Sequence, residues 1–371
     1  MAIDISRLPA DVASLDAAWL TQALRISGVL SMRSFVAACD AQQLGAGAGL
    51  IGAVGRVQLT YGGAPTDAPT RMICKFPSAV TANRAVADAF DMYGREVHFY
   101  QSLAATTSLG HPRCYFAASA TSTTDFVLLL QDLGDRRLGD QVLGSNLTDA
   151  EFVVDAMAAF HAENWNRTDD ARFTWLTSHA NDLQIGGMEA GFAQGWPRFS
   201  SEFSSLIPPS VKRWGHRVGP NTRAILHALC SGPQTICHAD FRLENMFFAA
   251  TPEQPDFAIV DWQSITKSSG AQDLAYFLTQ SVQLDVRRRH ERDLLARYLE
   301  GLRASGVRHY DTADLLLDYR RATLYLLDYA VVIASTLDLA NERGAAVARA
   351  LSARACAALD DLDCEALLGR V

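Results

Sequence analysis

Lysine is scarce in this chain. Of its 33 basic residues only Lys75, Lys212 and Lys267 are lysines, and the rest are arginines. A compact ammonium and a planar guanidinium are not interchangeable, so each of the three asks for a reason. A basic excess is missing as well. The formal net charge is −8, which excludes a broad cationic footprint for nucleic acid. Long apolar runs are absent. The stretch from Tyr325 to Leu339 is interrupted by Asp328 and Asp338 and falls short of the roughly 20 residues that span a bilayer. Seven scattered cysteines with no C-x-x-C pair give no disulfide framework and fit a reduced, cytoplasmic setting. Asp4, Asp11 and Asp16 stand where a signal peptide would need a basic start. The chain shows no internal repeat and no low-complexity tract. With 371 residues, 49% of them hydrophobic, it is ordinary globular material of one large domain or two to three smaller ones.

What is present falls into two halves. A helix is predicted over 15–26, with Leu15, Trp19, Leu20 and Leu24 on one face. Strands are predicted over 55–61, 70–76, 114–118 and 126–130, with a helix crossing over about 83–104. Beyond Leu133 helical patterns dominate, over about 148–164, 221–230, 271–283, 285–304, 312–340 and 344–367. A strand–loop–strand region at 235–262 interrupts them. The expected architecture is α+β, with a β-rich N-lobe over 1–133 and a mostly helical C-lobe over 134–371.

Gly47-x-Gly49-x-x-Gly52 matches a dinucleotide fingerprint. That fingerprint needs a helix to open at the third glycine, whereas the pattern after Gly52 alternates as a strand. A hairpin whose glycine-rich tip covers a triphosphate fits better, because glycines let backbone N–H groups approach phosphate oxygens. A flexible loop with no ligand is the alternative. A Rossmann oxidoreductase is the rival enzyme reading, and the strand after Gly52 argues against it. Lys75 stands in mid-strand between Cys74 and Phe76, where an unpaired buried ammonium would be costly. Glu96 on the following helix is the natural partner, with Asp88 and Asp91 as rivals. So paired, Lys75 could hold α/β-phosphate oxygens. An edge-strand lysine reaching out to water is the other reading.

The richest segment is Ile236-Cys-His238-Ala-Asp240-Phe-Arg242-Leu-Glu-Asn245-Met-Phe-Phe248, followed by Phe257-Ala-Ile-Val-Asp261-Trp262. Apolar strands that deliver Asp240, Asn245 and Asp261 to one point make a hard, oxygen-rich site suited to Mg²⁺ shared with phosphates. One carboxylate then remains to accept a hydroxyl proton. Arg242 could neutralise a transferring phosphoryl group. Asp and Asn are also common turn formers. Their joint spacing, with a lysine-bearing strand behind a glycine loop, matches the phosphoryl-transfer set of parts.

These residues resemble the aminoglycoside phosphotransferase and choline kinase superfamily, which has a protein-kinase-like fold. The branch most similar is the ecdysteroid-kinase-like or acyl-CoA-dehydrogenase-linked one. The His-Gly-Asp-x-x-x-x-Asn loop of that superfamily appears as His238-Ala239-Asp240 to Asn245, and its metal-binding Asp as Val260-Asp261-Trp262. The Gly-x-x-Asp-Leu-Ala helix start appears as Gly270-Ala-Gln-Asp273-Leu-Ala, followed by Tyr276. Phe160-His161-Ala162 resembles the Leu-His-Ala helix, and Leu128 to Leu133 the hinge. The resemblance implies a bilobal fold with ATP and Mg²⁺ as cofactors. It implies Asp240 as catalytic base, Asn245 and Asp261 as metal ligands, and Lys75–Glu96 as the phosphate-holding pair. The backbone around Leu130, Gln131 and Leu133 would receive adenine, under the Gly47, Gly49 and Gly52 loop. Asp273 would brace the catalytic loop and His238 would orient it. Ala239 in place of the usual Gly restricts positive φ.

The acceptor is the thinnest part of the reading. Four of the six tryptophans lie between Phe152 and Trp214, with Phe173, Phe192, Phe199 and Phe203. They form either a wall for an apolar alcohol or ordinary core. Between 281 and 345 acids and arginines balance at ten each, so no acidic cleft for a cationic antibiotic shows. The run Arg287-Arg288-Arg289-His290 could meet an anionic group, although a charge run is usually a solvated helix face. The expectation is an ATP-dependent kinase of a small, fairly apolar alcohol, with no nucleic-acid partner and the oligomeric state open. A nucleotide-binding pseudokinase or scaffold and an antibiotic kinase stand as alternatives.

Overall fold

A computed structural model describes residues 7–45, 51–120, 123–249, 256–336 and 341–369. The chain divides into two compact units. The first comprises Met1–Thr106, Gly110–Arg136 and Val260–Gln263, and the second Thr107–Leu109, Arg137–Ile259 and Ser264–Val371. The sequence suggested one boundary near Leu133 with Asp261 beyond it. The division instead falls after Arg136, and the four residues around Asp261 group with the first unit.

In the first unit, α1 (Ala17–Ile26) starts at Asp16, whose carboxylate accepts the Trp19 N–H at 2.7 Å, a standard way to satisfy the free donors of a first turn. The sheet holds β1 (Ser34–Leu44), β2 (Gly52–Gly63), β3 (Arg71–Pro77), β4 (Cys114–Ser119) and β5 (Phe126–Gln131) in the order β1-β2-β3-β5-β4. Every pairing is antiparallel. Side chains alternate between faces along a strand. Met72, Cys74 and Phe76 therefore join Trp19, Leu20 and Leu24 of α1 in one buried cluster, and Lys75 points to the opposite face. The expected helix over 83–104 is two helices, α2 (Thr81–Ala89) and α3 (Met92–His98), followed by a π turn at Phe99–Leu103. The break falls at Asp91, whose φ of 49° is left-handed and cannot continue a right-handed helix.

In the second unit, β6 (Arg137–Leu138), β8 (Met246–Phe248) and β9 (Phe257–Ile259) form one small antiparallel sheet. A second is formed by β7 (Thr235–Cys237) and β10 (Thr266–Ser268). The helices are α4 (Leu147–Glu163), α5 (Asp182–Glu202), α6 (Pro209–Trp214), α7 (Val218–Leu229), α8 (Ala271–Tyr276), α9 (Leu284–Ala304), α10 (Thr312–Thr336) and α11 (Glu342–Asp361). The helix expected over 271–283 gives way after Tyr276 to a π turn at Phe277–Ser281. Helix α10 packs against α5, α7, α8 and α11. A Cβ at Gly191 or Gly195 would stand 2.8 or 2.9 Å from α10 side chains, so the glycines of α5 are what let it approach. Phe192, Phe199, Phe203 and Trp214 are buried core. The arginine run of α9 is not a free anion site. Arg287 is 1% exposed and pairs with Glu291 and Asp361, Arg288 also pairs with Asp361, and Arg289 pairs with Asp285.

Candidate active site

Lys75 sits at the centre of the first unit's sheet, opposite Val54 of β2 and Leu128 of β5. It is not on an edge and is only 8% exposed. Its Nζ donates to Glu96 Oε2 at 2.6 Å and to Asp261 Oδ1 at 2.7 Å. Burial would pull the ammonium's pKa down, but the charges of Asp261 and Glu96 outweigh it and hold the amine protonated above the usual lysine range. Burial pushes the Glu96 carboxyl up; Lys75 opposes that shift and the Asp261 charge adds to it. Asp88 and Asp91, the rival partners, are exposed. The Asp261 backbone is left-handed at φ 69°. Its Oδ2 accepts from Gln263 Nε2 at 3.3 Å, and the Trp262 ring stacks on Phe99 with centroids 3.7 Å apart.

The glycine motif falls partly outside the described residues, which exclude Gly47 and Gly49. Gly52 opens β2, and β1 pairs with β2 up to Leu44 opposite Val54. The motif thus joins two antiparallel strands, and the strand–loop–helix of a dinucleotide fold is not there. A Cβ on Gly52 would lie 3.2 Å from the Phe76 carbonyl and 3.3 Å from Lys75 Cε, so the lysine stem passes beneath a residue that has no side chain. The Tyr93 hydroxyl donates to the Ile51 carbonyl at 2.5 Å and accepts the Ser78 N–H at 3.0 Å, tying the base of the loop to the end of β3. At the hinge, Leu130 and Gln131 end β5, and Gln131 exchanges bonds with Arg113 through its backbone and its side chain. Asp132 is clamped by Arg56 at 2.7 Å and Arg71 at 2.8 Å. Leu133 is buried and accepts the Arg136 N–H.

In the second unit the 238–245 loop hangs from one buried carboxylate. Asp273 accepts the His238 N–H on Oδ2 at 2.7 Å and the Ala239 N–H on Oδ1 at 2.8 Å. Ala239 adopts φ 64°, the strained left-handed state that glycine would take freely. His238 Nδ1 accepts the Asp240 N–H at 3.2 Å. Asn245 Nδ2 donates to both the carbonyl and Oδ2 of Asp240 at 2.9 Å. Arg242 Nε lies 3.3 Å from Asp240 Oδ1, and its Nη1 lies 3.6 Å from Glu244. Gln141 adds a bond from the far side, accepting the Leu243 N–H at 3.1 Å. His161, Cys237 and Asp273 place ligand-type atoms within 4.8 Å of one another. Asp273 is committed to the loop's N–H groups there, and His161 bonds to Tyr298 at 2.7 Å, so the trio braces the loop.

The model of the "Ecdysteroid kinase-like family" matches residues 46–308, from the glycine motif to just past the end of α9. The chain belongs to the ecdysteroid kinase-like family. Among solved structures, the GDP complex of wild-type aminoglycoside 2'-phosphotransferase-IIIa is 12% identical with a TM-score of 0.51, covering 86% of this chain and 93% of that one. A microcompartment-associated aminopropanol kinase is 16% identical with a TM-score of 0.49, covering 95% and 98%. The aminoglycoside enzyme shows that this member of the ecdysteroid kinase-like family shares the kinase-like fold of that group, with a β-sheet N-terminal region and a helical C-terminal region. No curated protein matches the chain. Among the described residues no helix is long and apolar enough to cross a membrane.

Within this family member the sequence pointed to Lys75–Glu96 but missed the second partner, Asp261. The two are 186 residues apart, and no local spacing links them. The brace from Gln141 was also missed. Its only signal is a polar residue that is fully buried, and burial is not visible in a single sequence.

Proposed function

We propose that the protein is an ATP- and Mg²⁺-dependent phosphotransferase that moves the γ-phosphoryl group to a hydroxyl of a small, uncharged and fairly apolar molecule. The observation that carries this reading is the Asp240 loop, whose carboxylate is aimed by Asn245 and whose backbone is hung from Asp273. In the transfer, a bond forms between the acceptor oxygen and the γ-phosphorus as the β–γ bridging bond breaks. The hydroxyl proton goes to Asp240, and the nucleoside diphosphate leaves with the bridging oxygen's electron pair. Such reactions depend on positioning and charge more than on covalent chemistry. Lys75, kept cationic by its two acids, holds phosphate oxygens, and Arg242 supplies positive charge beside Asp240. The oxygens of Asn245 and Asp261 suit Mg²⁺, which when bound neutralises phosphate charge. The backbone at Leu130 to Leu133 receives adenine beneath the glycine loop.

An uncharged acceptor is favoured by how the nearby acids are spent. Asp240 has Arg242, Glu244 has Arg242 and Arg343, and Asp140 has Arg343 at 3.2 Å. A polycationic sugar, as the name of the aminoglycoside neighbour implies, would have to displace those arginines. The test is a screen with γ-labelled ATP and Mg²⁺ across hydroxylated lipids, steroids, amino alcohols and antibiotics. A labelled product is expected from a neutral alcohol. Asp240→Asn should lower its formation by about 10²–10⁴-fold with nucleotide affinity by calorimetry unchanged. Nucleotide binding with no product from any acceptor would instead indicate a pseudokinase, and a fully active Asp240→Asn would sink the assignment of the base.

A further inference from the structure

Arg354 lies on α11, beyond the residues 46–308 that the family model matches. It is 8% exposed, and among the described residues no carboxylate forms an ion pair with it. Its guanidinium is spent on carbonyls instead. Nη1 donates to the Gln141 carbonyl at 2.6 Å and to that of Gln280 at 3.3 Å, and Nη2 donates to the Val142 carbonyl at 2.9 Å. Burial pulls its pKa down, with the Asp140 charge opposing; a guanidinium keeps its proton all the same. A buried cation with no counter-ion is costly, and an apolar side chain of similar volume often serves stability as well or better. The arginine therefore calls for another explanation. Its seat is also kept clear: Gly144 has φ 78°, and a Cβ there would stand 2.6 Å from Arg354 Nη2.

The carbonyls it holds lead to the Asp240 loop. Gln280 lies in the π turn at Phe277–Ser281, a distortion that is frequent at functional positions, and its carbonyl is among those a helix end leaves open. Gln141 joins that turn to the loop. Its Nε2 donates to the Gln280 carbonyl at 2.7 Å, and its Oε1 accepts the Leu243 N–H at 3.1 Å and the Ser281 hydroxyl at 3.3 Å. A carbonyl only accepts and a backbone N–H only donates, so one orientation of the amide satisfies both. Leu243 opens the short 3-10 turn Leu243–Asn245, and Arg242 before it gives no side-chain cap. The Leu243 N–H is thus an open donor of a helix start, and Gln141 closes it. Asn245, in the same turn, holds the Asp240 carboxylate at 2.9 Å. Arg343 of α11 pairs with Asp140 and Glu244 at 3.2 Å, so the exposed end of the helix reaches the same two segments.

Building on the phosphotransferase reading, we propose that Arg354 is a positioning residue for the transfer, acting through Gln141 on the loop that carries Asp240 and Asn245. Its planar fork fixes the Gln141 and Gln280 carbonyls against each other. That sets the gap the Gln141 side chain spans, and the amide then holds the Leu243 N–H and the turn behind it. Transfer depends on near-attack geometry, where a displacement of about 1 Å from a remote change costs roughly 100-fold in rate. The effect of Arg354 belongs on the rate of transfer rather than on nucleotide affinity, because what it fixes is the loop that holds the base.

The test uses the full chain with ATP and Mg²⁺, water standing in for the acceptor, and kcat counted per nucleotide-binding site by calorimetry so that unfolded protein does not enter. Arg354→Met should lower that kcat by about 10- to 100-fold with KM for ATP within about twofold. Gln141→Met should do the same, and the double variant should be within about twofold of the worse single one, because the two act in one chain. Hydrogen–deuterium exchange of a peptide spanning 241–246 should quicken in Arg354→Met. Arg354→Lys keeps the charge but cannot fork across the carbonyls. It should fall between wild type and Arg354→Met, and it carries the same test if Arg354→Met does not fold. A wild-type protein that releases no ADP sinks the phosphotransferase reading and the positioning role with it. The exchange data need no turnover, so they tell that failure from a failure of the link itself. With an active wild type, an unchanged kcat per site, unchanged exchange over 241–246, or single losses that multiply in the double variant overturn the role of Arg354.

Discussion

The Lys75 cluster of the first unit and the 238–245 loop of the second are fastened by opposite means. The first is made of charge, one ammonium between two carboxylates at 2.6 and 2.7 Å. The second is made of hydrogen bonds, with one carboxylate taking two consecutive backbone N–H groups. A buried charge cluster needs every member, because removing one strands the others in a poorly solvating interior. A loop hung on acceptor oxygens needs the oxygens more than the charge. The contrast predicts where substitutions are severe and where they are mild.

The largest effect is expected at Glu96. Glu96→Ala should cost about 3 kcal/mol or more of stability, read as a lowered urea midpoint. Adding Lys75→Met should then cost less than Lys75→Met alone, because one of the two carboxylates it would strand is already gone. Asp273→Asn should cost less, about 2 kcal/mol, because one of its two acceptors survives, whereas Asp273→Ala should approach the Glu96 value. If Asp273→Asn proves as damaging as Asp273→Ala, the loop is held by charge after all and the contrast disappears.

Asp328 sharpens the same comparison through pH. It is fully buried, and among the described residues its one hydrogen-bond donor is the Thr222 hydroxyl at 2.7 Å. Burial pushes its pKa up to about 8. Its folded pKa lies above the unfolded one, so the folded state binds the extra proton. Its contribution to stability is complete at and below the unfolded pKa of about 4 and is lost as pH rises toward 8. Asp328→Asn, which keeps an acceptor for Thr222, should flatten the fall in stability between pH 4 and 8 measured by denaturant titration. The smallest effect belongs to Ala239→Gly. Relief of the left-handed strain, less the entropy that glycine loses on folding, should add about 0.5 kcal/mol, seen as a melting midpoint raised by a degree or two.

The sequence was most legible where chemistry and local spacing coincide. The 236–248 segment, the strand after Gly52 and the Lys75–Glu96 pair all fall within short windows. It was least legible where a pattern is diluted. Strand β1 went unpredicted because its mostly half-buried or exposed run, Ser34 to Leu44, has few β-branched or aromatic residues and no sharp alternation. Helix α5 was hidden by Gly186, Gly187, Gly191, Gly195 and Pro197, residues that weaken helix propensity. Here tertiary contact with α10 explains why two of the glycines are present. The Asp261 partner of Lys75 depends on long-range folding, which neither period nor propensity reports.

The grouping of Val260–Gln263 with the first unit has a practical consequence for anyone cutting the gene. A fragment ending at Arg136 would keep the lysine and Glu96 but lose the second counter-ion and the indole that stacks on Phe99. The complementary fragment would carry those four residues with nothing to receive them. Neither piece is a self-sufficient module, so genetic fission or domain swapping at the apparent boundary should yield two poorly folded halves rather than two working ones.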